Sequence, residues 1–510
     1  MSLMERVNLC NSIYILFEQS MVRYLNHVDF NVFYLSLLLL IQSKSVTSSN
    51  DTISTGLLSS SFSSRSTVKY LPGFSGPLPF YLETGYIGVS DEDSPTNNND
   101  GAEDIELFYY FVKSERKPEE DPLLFWFTGG PRCSSLSGLF FEIGPLNMDI
   151  DGFDGGLPKL VVNNDSWTKV ANIIFPDAPV YTGFSYSKSS PNLYVGDKKS
   201  SQSIYEFIIK WLIGHPEFKS NPLYIGGDSY SGIIVPMVVQ CLINDIETRK
   251  YPFLQLKGYL LGNPVTDKQL ETNAKVPYAY GMGLLSYELY EENCKGKYLN
   301  FNLDNVNCTK DRQKFQECLE NINLAHVSEE KYCGQFRPVD NRRSLSAVVG
   351  EVFTSPEPEL PTPGCRSENQ NLVSGYWAND DRVQEALHVK KETVKKWIRC
   401  NFTVPYKVDI LSSVEYHQNI NTRFGYRSLI YSGDHDFLVP HVSTEAWIRS
   451  LNISIIEDWR PWLLDDQFAG YTTTYSSGLT YATGAGHTAP EYRPKESYAM
   501  FERWISHAPL

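Results

Sequence analysis

Tyr224-Ile225-Gly226-Gly227-Asp228-Ser229-Tyr230-Ser231-Gly232 is the stretch that decides how this chain folds. Residues 222–225 form an apolar run of strand character, and residues 233–248 continue as a long, mostly apolar helical pattern. Between them a serine stands at the apex of a tight turn. A strained strand-to-helix turn of this kind exposes the serine hydroxyl and sets it near a helix N-terminus, the geometry of a nucleophile elbow. Strand and helix pass close together there, so small flanking residues are needed. Gly227 supplies one before the serine, while Ser231 stands where a glycine is usual after it. Such five-residue matches are common by chance; the strand-turn-helix context makes Ser229 the candidate nucleophile.

Three other loops complete the chemistry. Upstream, Trp126-Phe127-Thr128-Gly129-Gly130-Pro131 ends a buried run in a glycine pair. The backbone N–H groups of Gly130 and Tyr230 are candidates for an oxyanion hole. Downstream, Tyr431-Ser432-Gly433-Asp434-His435-Asp436 carries carboxylates on a loop after a strand, and Thr483-Gly484-Ala485-Gly486-His487 carries a histidine on a glycine-rich loop. His487 is the candidate base, and one of the carboxylates would hold its tautomer. Either loop alone reads as a surface turn. Together, Ser, then Asp, then His is the chain order of an α/β-hydrolase triad.

The remaining pattern fits an α/β-hydrolase fold, with a mostly parallel central sheet, helices on both faces and an inserted cap region. Strand-like runs fall at 80–86, 106–112, 122–128 and 171–175, and a helical spacing at 201–213. After residue 375 the alternation resumes, with helices at 380–387 and 443–451 and strands at 428–431 and 479–483. The expected organisation is an N-terminal extension and signal peptide (1–44), a Ser/Thr-rich linker (45–66), the first part of the hydrolase domain (67–265), a cysteine-rich cap insertion (266–375), and its second part (376–510).

A net charge of −15 leaves no basic stripe for phosphates, which excludes nucleic acid as a partner. Five of the nine cysteines cluster within about seventy residues (Cys294, Cys308, Cys318, Cys333 and Cys365), without CxxC spacing or interleaved histidines. Disulfides in an oxidising compartment are therefore expected rather than zinc, and no metal, nucleotide or flavin motif is present, so no cofactor is expected. Sequons at Asn50, Asn164, Asn307, Asn401 and Asn452 are compatible with glycosylation, although chance yields about as many. The apolar run at 30–41 is too short for a stable membrane span but suits a signal segment, with Met21 as an alternative start and cleavage around Ser43 to Ser45. An uncleaved anchor is the alternative. The expected location is secreted or vacuolar, and the dibasic pair Arg342-Arg343 is either a processing site, giving a two-chain form in place of a plain monomer, or simply exposed.

From about Val68 onward the chain resembles the serine carboxypeptidase-like family (peptidase S10 type). The resemblance rests on Phe127-Thr128-Gly129-Gly130-Pro131, Cys133-Ser134-Ser135, Phe141-Glu142-Ile143-Gly144-Pro145, the elbow, Gly262-Asn263-Pro264, Tyr431 to Asp436, and Gly486-His487-Thr488-Ala489-Pro490. It implies that Asp436 is the triad acid and Asp434 a turn residue. It also implies disulfides Cys133–Cys365, Cys294–Cys308 and Cys318–Cys333. The family's carboxypeptidases grip a substrate carboxylate with an asparagine and two glutamates. Thr128, beside Gly129, Glu142 and Asp228 occupy those positions here. Asparagine to threonine removes an amide donor, and glutamate to aspartate shortens the reach, which is similar to the plant acyltransferase branch that uses 1-O-acyl-glucose esters. Trp447 to Asn452 and Asp458-Trp459-Arg460-Pro461-Trp462 are also similar to that branch.

The expected function is acyl transfer through acyl-Ser229, from a small-molecule acyl donor to an acceptor that is a plant secondary metabolite. The alternatives are a serine-type carboxypeptidase acting on a peptide C-terminus at acidic pH, and a catalytically weak or inactive relative. The last is motivated by Arg132, where the family has glycine, and by a loop before His487 about two residues shorter than in relatives. If position 132 needs φ > 0, arginine there strains the loop. His435 reads as a solvated turn residue and Cys133 as a disulfide partner, not as catalytic groups.

Overall fold

Short runs that are apolar throughout have no face to offer water, so they pair side by side and bury both faces. In the computed structural model, which describes residues 62–90, 103–189, 193–291, 306–331 and 366–510, such runs build the middle of a 12-stranded sheet. Its main path comprises β1 (Phe62–Val68), β2 (Leu82–Ser90), β3 (Glu103–Val112), β4 (Leu123–Phe127), β5 (Asn172–Pro176), β6 (Leu223–Asp228), β7 (Leu256–Gly262), β8 (Arg427–Ser432), β9 (Ile455–Leu464), β10 (Gln467–Tyr475) and β11 (Leu479–Thr483). They lie in the order β1-β2-β3-β5-β4-β6-β7-β8-β11-β10-β9, with Tyr186–Ser187 paired to β3. From β5 to β11 the neighbours run parallel, and antiparallel strands flank them on both sides.

Successive side chains of a strand point to opposite faces, and the two halves of the core follow from that. Trp126, Tyr224 and Leu429 face one layer, where α4 (Arg366–Ala378) brings Trp377 and α6 (Pro494–Ile505) brings Phe501 and Trp504. Phe125, Ile225 and Ile430 face the other. There α1 (Asp197–Gly214) brings Trp211, α2 (Ser231–Glu247) brings Val238, and α5 (His441–Ser450) brings Trp447. The sheet with helices on both faces is the α/β-hydrolase fold expected from the sequence.

Register sets the place of the candidate site. Gly227 pairs with Phe127, Asp228 with Gly262, Gly262 with Tyr431, and Tyr431 with Ala482. The carboxyl ends of β4, β6, β7, β8 and β11 therefore share one rim, and the loops carrying Gly129, Ser229, Asn263, Asp436 and His487 all leave from it. The chain between β7 and β8 includes α3 (Lys268–Gly281) and seats against this rim: Val276, Tyr278 and Ala279 pack with Phe437 of the acid loop.

One expected bond is corrected. Cys133 is joined to Cys400, not to Cys365, and the pair is flanked by Ser134 N–H donating to the Arg399 carbonyl (2.7 Å) and Asn401 N–H to the Arg132 carbonyl (2.9 Å). Two short extended segments thus lie alongside each other with their cysteines opposed, a long-range juxtaposition that no local spacing reveals. Cys318 is exposed with a free thiol. Its expected partner Cys333, together with Cys294, Cys365 and the side chain of Cys308, lies outside the described residues, as do the apolar run 30–41, Arg342-Arg343 and Asn50. Asn164 and Asn452 are exposed, whereas the Asn401 amide donates to the Tyr181 carbonyl (3.0 Å); the Asn307 side chain is outside the described set. Among the described residues no helix is long and apolar enough to cross a membrane.

The 267-residue separation makes this bridge a strong constraint on the unfolded chain. Non-reducing peptide mapping is predicted to recover a Cys133–Cys400 peptide pair, and Cys400→Ser to lower the unfolding free energy by roughly 3 kcal/mol in urea titrations.

Candidate active site

Ser229 sits between β6 and α2 with φ +53°, the left-handed backbone a sharp elbow requires. Neighbouring chain holds it there. Ser229 N–H donates to the Gly262 carbonyl (2.8 Å), and its own carbonyl accepts from Gly232 N–H (3.0 Å) and Val265 N–H (2.8 Å). A Cβ on Gly227 would come within 2.3 Å of the Phe127 carbonyl, and one on Gly232 within 2.3 Å of the Val265 carbonyl. These two glycines supply the close approach. Ser231 fits where glycine is usual because its hydroxyl donates to the Phe127 carbonyl (2.8 Å).

His487 reaches Ser229 from the β11 loop, with Nε2 2.9 Å from Oγ, and its Nδ1 lies 2.7 Å from Asp436 Oδ2. The shortened loop still makes this reach. It turns through Gly484 (φ +127°) and Ala485 (φ +87°), and His487 N–H is pinned to the Ala325 carbonyl (2.8 Å) in the inserted stretch. Asp436 is fully buried and accepts from Leu438 N–H (2.7 Å), Val439 N–H (3.2 Å) and Asn263 Nδ2 (2.8 Å). Burial alone would depress the His487 pKa, but the Asp436 carboxylate overrides it and raises the value, so the ring is a ready proton acceptor. Asp434 and His435 are half-buried on the same loop, and it is His487 that meets the serine hydroxyl.

The glycine loop lies directly over the elbow. A Cβ on Gly129 would fall 2.7 Å from Ser229 Cβ and 2.7 Å from the Tyr230 nitrogen. Gly130 adopts φ +117°, and among the described residues neither its N–H nor that of Tyr230 donates to a protein acceptor. Two amides left without partners beside the nucleophile are what a developing oxyanion needs. Asp177 anchors the loop's far end by accepting from Ser134 Oγ (2.6 Å) and Ser135 N–H (2.9 Å).

The candidate grip on substrate is present in altered form. Asp228 accepts from Gly129 N–H (3.1 Å), Glu142 accepts from Trp126 Nε1 (3.1 Å), and the buried Thr128 hydroxyl has no partner among the described residues. Burial pushes Asp228 up to about 6, and burial with repulsion from Asp228 holds Glu142 well above the ordinary carboxyl range. At weakly acidic pH the pair holds protons it can donate.

Two residues of consequence carry no role in the sequence reading. Asn263 (φ +41°) orients the triad acid, and Asp177 orients the glycine loop. The asparagine following a buried run was a visible signal; Asp177 offered none.

A carboxyl whose pKa rises on folding stabilises the fold fully below its unfolded value, and that contribution is lost as pH rises through the folded value. For Asp228 the window runs from 3.8 to about 6. Between pH 4 and pH 7 the wild type should lose roughly 2 kcal/mol relative to Asp228→Asn in urea titrations; parallel curves would refute the shared burial of these acids. Gly129→Ala should slow fluorophosphonate labelling of Ser229 about 100-fold, because an approximately 1 Å shift in the hole misplaces the reacting atoms.

Comparison with known proteins identifies the family. The serine carboxypeptidase family (peptidase S10) matches residues 72–507. Serine carboxypeptidase-like 7 of Arabidopsis thaliana is 48% identical over 90% of this chain and 100% of its own length, and serine carboxypeptidase-like 2 of the same plant 48% identical over 88% and 94%. Among solved structures, KEX1(DELTA)P, a prohormone-processing carboxypeptidase from Saccharomyces cerevisiae, superposes with a TM-score of 0.66 over 86% of this chain and 95% of that one; at 19% identity it supports the fold alone. The chain belongs to the serine carboxypeptidase family.

Proposed function

We propose that the chain is an acyltransferase working through acyl-Ser229, with 1-O-acyl-glucose esters as donors. In the first half-reaction Ser229 Oγ attacks the ester carbonyl while its proton passes to His487 Nε2, and the developing oxyanion is met by Gly130 and Tyr230 N–H. The tetrahedral species collapses by expelling the glucose oxygen, which takes the proton back from His487. In the second, His487 removes the proton of an acceptor hydroxyl or amine, which attacks the acyl carbonyl and frees Ser229. Asp436 stays ionised throughout, fixing the tautomer and stabilising the imidazolium.

The observation that carries this reading over peptide cleavage is the state of the carboxylate grip. An amide donor is missing at Thr128, whose hydroxyl is unpartnered, and the shortened Asp228 spends one oxygen on Gly129 N–H. A hydroxyl can donate to a sugar oxygen as well as accept from a sugar hydroxyl, which suits an ester of glucose. One observation favours the second reading: the Glu142 and Asp228 pair retains protons at weakly acidic pH and could donate to a peptide carboxylate. A secreted or vacuolar setting with acidic pH suits either activity.

Mass spectrometry of the protein exposed to a panel of 1-O-acyl glucoses should show an acyl increment on the Ser229 peptide, absent in Ser229→Ala. Added acceptors should discharge it faster than water does. Amino-acid release from blocked dipeptides with no ester turnover would favour the carboxypeptidase, and absence of fluorophosphonate label on folded protein would mark an inactive relative.

A further inference from the structure

Arg132 follows the cis Gly130-Pro131 bond at the edge of the candidate oxyanion hole and adopts φ +77°, a conformation that glycine takes freely and arginine does not. Its side chain lies against two rings, with the guanidinium 5.5 Å from the centre of Phe402 and 5.5 Å from that of Tyr406. Tyr406 in turn meets Tyr230, the residue after the nucleophile, edge to face at 5.9 Å.

No carboxylate answers this charge. Among the described residues Arg132 forms no ion pair, and its Nε is buried without a hydrogen-bond partner. The buried acid of this wall, Asp197, is already satisfied. It accepts from the Tyr230 hydroxyl (2.8 Å), the Tyr406 hydroxyl (2.9 Å), Asp409 N–H (2.7 Å) and Ile410 N–H (2.9 Å). Arg399, on the opposite side of the disulfide bridge, makes a contrast, since it donates to Ser137 Oγ (2.9 Å) and Asn371 Oδ1 (3.3 Å). In a chain of net charge −15, an arginine that is half-buried, unpaired and on an unfavourable backbone angle is costly to keep. The aromatic faces offset part of the desolvation by cation–π attraction but leave the donor fork unused.

We propose that Arg132 is a specificity-determining residue forming a cationic subsite that receives a carboxylate on the substrate of the Ser229 reaction. This inference rests on the acyl-transfer reading for its reaction, although the subsite itself is a matter of binding. One guanidinium neutralises one charge, so a monocarboxylate fits better than a dianionic phosphate. The carboxylate belongs either to the acyl group or to the acceptor.

Two arms separate these sources. For the acyl side, kcat/KM for mono-p-nitrophenyl succinate is compared with that for p-nitrophenyl butyrate. For the acceptor side, transfer from p-nitrophenyl butyrate to lactate is compared with transfer to methyl lactate. In one arm the wild type should favour the charged partner about tenfold, the order expected for a charge-assisted hydrogen bond. Arg132→Gly should abolish that preference and Arg132→Lys retain part of it. Glycine is at ease at φ +77°, so Arg132→Gly should melt no lower than the wild type. A third measurement does not need catalysis. Calorimetry on Ser229→Ala should show monomethyl succinate, a monocarboxylate, binding more tightly than dimethyl succinate, with the difference lost in Ser229→Ala/Arg132→Gly. Turnover failing in every arm while this difference persists would remove the acyl-transfer reading and leave the subsite standing. Equal charged-to-neutral ratios in wild type and Arg132→Gly in both arms, equal binding of monomethyl and dimethyl succinate, or a preference for inorganic phosphate over monomethyl succinate would overturn the proposal.

Discussion

The parallel register of β4, β6, β7, β8 and β11 is the constraint on which the site depends. Because their carboxyl ends are level, five loops emerge together, and side chains 258 residues apart come within hydrogen-bonding distance. A slip of one residue in any of these strands would exchange the side chains of its two buried faces and carry its loop off the rim. The two aromatic layers that clamp the sheet make such a slip prohibitive. Catalytic geometry is thus a by-product of core packing, refined by a few hydrogen bonds at the loops.

Those refinements share a form. Ser229, Asn263, Ala485 and Arg132 all adopt positive φ at the rim, conformations that surrounding contacts must hold. Ser229 is held by the chain after β7, and Asn263 reaches across to Asp436. His487 is pinned from the inserted stretch through Ala325. The stretch between β7 and β8 therefore bears directly on the His487 loop. Its Tyr278 hydroxyl donates to the Asp434 carbonyl (2.9 Å), so it also stiffens the acid loop.

Much of this was legible in the residues. Buried strands such as Leu123–Phe127 are apolar throughout, and the elbow joins a run of one period to a run of another. Other elements gave weaker signals. β7 is interrupted by Lys257 and Gly258, the latter there because a Cβ would meet the Arg427 carbonyl at 2.2 Å. β9 lies at the sheet edge with most residues exposed, so it never alternates. α1 begins at Asp197, four residues before the apolar spacing starts, because its first turn is held by polar contacts to Asp197 and not by packing. The Cys133–Cys400 pairing and the support from Asp177 are products of tertiary proximity, which spacing cannot encode.

The bridge between Cys133 and Cys400 has a temporal meaning as well. The loop carrying the candidate oxyanion amide of Gly130 is made well before its clasp, which lies 267 residues after Cys133, and His487, the candidate base, comes later still. A nascent chain thus carries an exposed serine with neither its clasp nor its base. On the proposed roles, the three side chains can meet only after residue 487 has been made, so the serine would gain its reactivity no earlier than that.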